Sequence, residues 1–209
     1  MDSIIINITR LAIPILLALT LHEYAHGWVA NRLGDPTARL MGRLTFNPIR
    51  HLDPIGTLVF FVTGMFGWAK PVPVNALQLR DPRRDMVWVA LAGPLTNLFL
   101  AALSVVCLKL LYGVYTPSMK PLIEPLAMMA EASIYINVAL AVFNILPIPP
   151  LDGSRVMSGL LPYRQAVLYE QIEPYGFIIL VLLLWSGVVG AFLGPVVYFI
   201  VSILKGGLF

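Results

Sequence analysis

The stretch "IGTLVFFVTGMFGWAKPVPVN", residues 55–75, decides how this chain is threaded. Its apolar part ends at Trp68, too short for the roughly 20 helical residues, at ~1.5 Å each, that cross a hydrocarbon core. Three glycines, Gly56, Gly64 and Gly67, interrupt it, and the Pro-rich "AKPVPVN" follows at once. The pattern predicts a re-entrant loop, for which a β-hairpin is one form, rather than a span.

Charge around the stretch supports that reading. Four longer apolar runs, residues 4–30, 86–112, 128–147 and 174–204, are each long enough to span. Arg32, Arg39, Arg43 and Arg50 follow the first run. Lys70, Arg80, Arg83 and Arg84 follow the short stretch, and Arg155 and Arg164 follow the third long run. Basic loops face the cytoplasm. Were residues 55–68 to cross fully, the first two basic loops would lie on opposite faces; a re-entrant loop puts all three inside. The amino terminus is then outside. The last run breaks near Gly187, Gly190 and Gly194-Pro195 into a hairpin, about residues 172–206, that leaves Lys205 inside. The expected fold is an all-α membrane protein, a polytopic bundle of about five to six transmembrane helices. It forms a single domain over 1–209, with a core over about 4–160.

Composition agrees. Of 209 residues, 58% are hydrophobic and 12% charged, and the mean hydropathy is +0.83, far above a soluble domain. The chain is read as a multi-pass protein whose partner is the lipid bilayer. Its net charge of +3 lies in connecting loops and reports orientation, not nucleic-acid binding. The start, "MDSIIINITR", lacks the basic region of a cleaved signal peptide. A lone Cys107 excludes an intrachain disulfide and a thiolate cluster, so any metal must be held by His, Asp or Glu.

Such ligands occur in the first apolar run. "HEYAH", residues 22–26, is an H-E-x-x-H motif: residues four apart project from one helical face, so both imidazoles reach one Zn²⁺. Glu23 is placed to act on a water molecule at that metal. The bland alternative, interfacial or internally satisfied histidines, is weak, because ionisable groups at membrane depth are expensive and usually functional. A catalytic zinc usually takes three protein ligands. Asp152 in "FNILPIPPLDGSR" is the best third: Pro147, Pro149 and Pro150 end the preceding helix and Gly153 permits a tight turn. The re-entrant threading puts His22, His26 and Asp152 at one membrane face. An ordinary turn aspartate is the alternative, preferred only if the H-E-x-x-H were missing.

HEYAH, "AGPLTN" (92–97) and "NILPIPPLDG" (144–153), in this order, resemble the site-2 protease family of intramembrane zinc metalloproteases, in its short form without PDZ or CBS domains. The stretches "GRLTFNPIRHLDPIG" (42–56) and "GWAKPVPVN" (67–75) are similar to family features as well. The resemblance implies that His22, His26 and Asp152 bind zinc, one ion per chain, and that Glu23 is the catalytic base. Asn144, polar on an apolar helix, is the candidate oxyanion donor, and the resemblance points the same way; interhelical hydrogen bonding is the alternative. Asn97 and Asn137 read as packing glue, and His51 as a solvated loop residue left out of the metal set. Val72-Pro73-Val74 is either an edge that pairs with an unwound substrate or a rigid loop.

The expected function is hydrolysis of peptide bonds within or near transmembrane segments of membrane-protein substrates, as in regulated intramembrane proteolysis. A non-proteolytic zinc-binding membrane protein or transporter is the alternative. A di-iron desaturase needs more than the three histidines present. Serine and aspartyl intramembrane proteases lack their signatures here, with Asp152 alone at catalytic depth. Substrate identity and oligomeric state are not encoded in any motif.

Overall fold

The structure, a computed structural model, describes residues 2–63 and 67–206, so Gly64 lies outside the described residues. The helices, in chain order, are α1 (Asp2–Arg32), α2 (Thr37–Leu40), α3 (Pro54–Thr63), α4 (Pro82–Gly113), α5 (Lys120–Asn144), α6 (Asp152–Leu160), α7 (Tyr163–Glu170), α8 (Glu173–Trp185) and α9 (Val188–Lys205). Among the described residues there is no strand, only one antiparallel bridge between Leu52 and Ala69. The fold is all-helical.

Among the described residues, three segments are long and apolar enough to cross a membrane: Pro82–Gly113, Pro117–Asn144 and Val188–Lys205. Helices α7 and α8 reach that length only as a pair bent by 63°. The surface carries apolar side chains such as Phe99, Leu110, Phe192 and Ile203, while Asn97 and Asn137 are fully buried. Polar groups inside and oily groups outside suit lipid as the solvent. This is a membrane protein.

Hydrogen bonds fix the relative directions of the central helices. Asn97 and Ser104 on α4 bond Asn137 and Ser133 on α5, so position rises on one helix as it falls on the other. His22 and His26 on α1 bond Asn97 and Val89 on α4, again in antiparallel order. Helices α1 and α5 therefore run parallel to each other, and both end on the same side of the bundle. An apolar cluster built on Ala101, Val105, Ile134, Val138 and Val201 fills the far half, between α4, α5 and α9.

The short stretch departs from a hairpin. The Asp53 carboxylate accepts the Gly56 N–H at 2.8 Å, and Pro54 opens α3; an Asp cap followed by proline starts a helix and cannot extend a strand ladder. The two limbs of the loop still meet. Leu52 bridges Ala69, the Lys70 N–H donates to the His51 carbonyl at 2.8 Å, and Gly56 packs so tightly on Trp68 that a Cβ would sit 2.3 Å from its carbonyl oxygen.

The last apolar run is two helices, α8 and α9, broken at Ser186-Gly187. Helix α8 begins against the proline turn, with Gly176 on Pro149 and Phe177 edge-on to Trp68 at 5.8 Å. Lys205, however, pairs with Glu131 at 2.7 Å, thirteen residues before the end of α5, or about 20 Å along the helix. The expected return of Lys205 to the side where α1 and α5 end is corrected. A 13-residue α8 starting at Pro149 climbs at most ~20 Å, which leaves α9 to ascend along α5 rather than descend.

Candidate metal centre

His22 and His26 lie in the last third of α1, where an uninterrupted helix puts them on one face. Each ring is anchored through Nδ1: that of His22 at 2.6 Å from Asn97 Oδ1, that of His26 at 2.7 Å from the Val89 carbonyl. Both are buried. A carbonyl oxygen can only accept, so both Nδ1 atoms carry a hydrogen, and in the neutral rings a metal site needs, both Nε2 atoms present lone pairs.

Those lone pairs converge. The Nε2 atoms lie 3.0 Å apart, and Asp152 Oδ2 is 3.1 Å from His22 Nε2 and 3.3 Å from His26 Nε2. When the rings are neutral no proton stands between these atoms, and Asp152 Oδ2 is buried without a hydrogen-bond partner. Three acceptors crowded this way repel one another unless a cation sits among them. Ligand atoms about 2.0–2.1 Å from a tetrahedral zinc stand about 3.3 Å apart, close to what is seen. The three residues form a group that could hold a metal ion, and its donor set fits zinc.

Two glycines make the convergence possible. Asp152 is the first residue of α6, not part of a loose turn, and Gly153 is required because a Cβ there would lie 2.1 Å from the Ile145 carbonyl oxygen at the end of α5. Gly93, within AGPLTN, faces the imidazoles: a Cβ would lie 2.5 Å from His22 Cε1 and from His26 Nε2.

Glu23 points elsewhere, toward the segment after the loop. Its Oε2 accepts the Val72 N–H at 2.8 Å, and Val72 is buried against Gly27. The segment is tied down along its length: Arg43 donates to the Lys70 carbonyl at 2.8 Å, and buried Asp35 accepts the Asn75 N–H at 2.6 Å. Pro71 and Pro73 have no N–H to offer. The Val72 amide is thus committed to Glu23 rather than open to a guest strand.

Asn144 is half-buried and donates to the Leu140 carbonyl of its own helix at 3.0 Å; it is not drawn into the histidine cluster. His51 is buried rather than solvated and donates to the Thr45 carbonyl at 2.8 Å, bracing the loop. Asn97 and Asn137, read from sequence as glue, stand behind His22. The signal available was Asn97 on the Gly93-Pro94 turn of helix, but its partner is visible only in three dimensions.

A model of peptidase family M50 matches residues 10–187. YwhC of Bacillus subtilis is 42% identical over 173 residues, 83% of this chain and 78% of its own. Rip2 of Mycolicibacterium smegmatis is 31% identical over 191 residues, 88% and 69% of the two chains, and Rip2 of Mycobacterium tuberculosis 33% over 187 residues, 87% and 69%. Both names describe these relatives, provisionally, as zinc metalloproteases. No solved structure matches this chain. With the match running through HEYAH, AGPLTN and the aspartate of LDG, the chain belongs to peptidase family M50, the site-2 protease family that its motifs resemble.

Proposed function

We propose that the protein is an intramembrane zinc endopeptidase that cuts within or near transmembrane segments of other membrane proteins, in the inner or plasma membrane of a prokaryote. His22, His26 and Asp152 hold one Zn²⁺, Glu23 is the general base, and Asn144 is a donor to the developing oxyanion. The observation that carries this reading is the convergence of His22 and His26 of α1 with Asp152 of α6, their side-chain atoms within 3.3 Å of one another, in a bundle whose outer faces are apolar. Bound there, zinc supplies a Lewis acid for the scissile carbonyl and makes water a competent nucleophile near neutral pH.

The chain's own groups do the rest. The Val72 amide holds one oxygen of Glu23, leaving the other to take a proton from the attacking water and return it to the leaving nitrogen. Asn144 spends one hydrogen of its amide on Leu140 and has a second for the oxyanion. Replacing Val72 by proline deletes the N–H; loss of a bond to a charged acceptor should lower kcat roughly 10-fold or more with zinc content unchanged. A wild-type kcat would show that this amide does not position the base.

Several features support the membrane placement. The 10-residue α3 is ~15 Å long, half a hydrocarbon core, and its entry and exit meet at Leu52 and Ala69, as a re-entrant element requires. Counting α1, the three long segments and the bent α7–α8 pair gives about five crossings or partial crossings. Arg32, Arg43, Arg83 and Arg155 gather on the side where α1 and α5 end, which argues for a cytoplasmic-side site. A cleft of about 500 Å³ between Val74, Arg83, Met86, Ser154 and Arg155 opens on that side, beside the start of α6.

Purified full-length protein should carry about one zinc per chain and cleave a model transmembrane substrate. Asp152→Ala should weaken zinc binding by more than the ~10–100-fold that loss of an outer partner costs. Unchanged zinc affinity in that variant removes Asp152 from the ligand set. A zinc-loaded wild type that cuts no transmembrane segment would favour a binding or transport role instead.

A further inference from the structure

A chain of buried and half-buried polar side chains leaves the metal centre and runs into the apolar bundle. His22 Nδ1 meets Asn97 Oδ1 at 2.6 Å. Asn97 Nδ2 donates to Asn137 Oδ1 at 2.8 Å and, at 3.4 Å, to the Ala18 carbonyl. Asn137 Nδ2 donates to the Ser133 carbonyl at 2.9 Å and to its hydroxyl at 3.1 Å. The Ser133 and Ser104 hydroxyls are 2.8 Å apart, and Ser104 donates to the Leu100 carbonyl at 2.8 Å.

A chain of amides and hydroxyls alone could run in either direction. Here backbone carbonyls choose one, because they only accept. The Ser133 carbonyl requires the NH₂ group of Asn137 on its side, which turns Asn137 Oδ1 toward Asn97. Asn97 must then present its own NH₂ there, as the Ala18 carbonyl independently demands, and so turns Oδ1 toward His22. Only a hydrogen on His22 Nδ1 completes the contact. At the far end the Ser104 hydroxyl stands within hydrogen-bond reach of both Leu100 and Ser133. From His22 through Asn97 and Asn137 to Ser133, the donations point away from the metal centre.

We propose that Asn97 and Asn137 are positioning residues of the metal centre: together they lock His22 in the Nδ1–H tautomer and hold its ring so that Nε2 faces Asp152. Residues behind a ligating histidine fix its tautomer and raise its basicity. In a bundle without bulk water no other partner can take over, so the lock must be built from side chains. His26 needs no such arrangement, since the Val89 carbonyl serves it directly. This inference rests on His22 being a zinc ligand.

The test compares Asn97→Leu, Asn97→Asp and Asn137→Leu in the detergent-solubilised full chain. Zinc affinity is measured by competition with a chelator, and ligand geometry by the visible absorption of the cobalt-substituted protein. Asn97→Leu, of similar size but without an acceptor, should bind zinc ~10–100-fold more weakly and change the cobalt spectrum. Asn97→Asp restores an acceptor for Nδ1–H and should recover most of the affinity. Asn137→Leu, acting through Asn97, should give a smaller loss in the same direction, and it reads out the proposal even if Asn97→Leu does not fold. Wild-type affinity and spectrum in both leucine variants would overturn the assignment. So would weakened binding with an unchanged cobalt spectrum and an equal drop in thermal stability of the metal-free protein, which marks a purely structural role. Failure of the zinc reading itself looks different: the wild type would then bind no zinc.

Discussion

Glu23→Gln is expected to abolish most cleavage while leaving zinc in place. Glutamine keeps the length of the side chain and one oxygen that can still accept the Val72 N–H, so the segment through Lys70–Asn75 has no reason to detach. The side chain also contributes no atom to the convergence of His22, His26 and Asp152, so metal content should stay at the wild-type level. What disappears is the ability to take a proton. General-base catalysis is worth ~10²–10⁴-fold, and kcat on a model transmembrane substrate should fall by that amount. Cleavage within a few-fold of wild type would remove Glu23 from the reaction; loss of zinc would mean that it is a ligand instead.

Gly93→Ala should empty the metal centre. On helix propensity alone the change is favourable, since alanine in a helix interior gains about 1 kcal/mol over glycine. The new Cβ, however, would lie 2.5 Å from His22 Cε1 and His26 Nε2 and 2.6 Å from His22 Nε2, far inside contact distance. Neither ring can swing aside cheaply, because Asn97 and the Val89 carbonyl hold them from behind. Either α4 separates from α1, at an overpacking cost of ~1–3 kcal/mol, or the Nε2 atoms leave their positions. Both routes should cost zinc and activity together. Zinc titration and thermal unfolding of the metal-free protein separate the terms: a variant that is more stable without metal yet holds zinc as tightly as the wild type would contradict the packing seen at Gly93.

The polar interior also bears on how the protein is held together. In lipid, apolar burial does not drive helices together, and close packing with interhelical hydrogen bonds takes over. The contacts Asn97–Asn137 and Ser104–Ser133 therefore fix the α4–α5 register as well as serving the site. A further asparagine at the end of α5, Asn144, bonds within its own helix, to the Leu140 carbonyl.

Much of the fold and of the site could be read from local patterns. The 3.6-residue repeat alone makes the histidines of HEYAH share a face, and long apolar runs between arginine-rich loops mark membrane segments whatever their packing. The parallel course of α1 and α5 is also the one expected from a short glycine-containing run, followed by prolines and flanked by basic loops, that turns back rather than spans. Helical structure at Pro54–Thr63 was encoded in the same Asp-Pro pair, which was a stronger sign than the glycines that suggested a hairpin. Other features depend on which residues meet across helices. The Asn97 contact to His22, the Val72 amide on Glu23, the space kept open by Gly93 and the pairing of Lys205 with Glu131 all depend on the rotation and register of packed helices. Hydropathy and periodicity set what each helix is and which face it shows; close packing of side chains sets how far one helix slides and turns against the next. The sequence by itself therefore determined that His22 and His26 share one helical face and that the chain is a membrane protein, and the tertiary structure alone decided what those side chains meet.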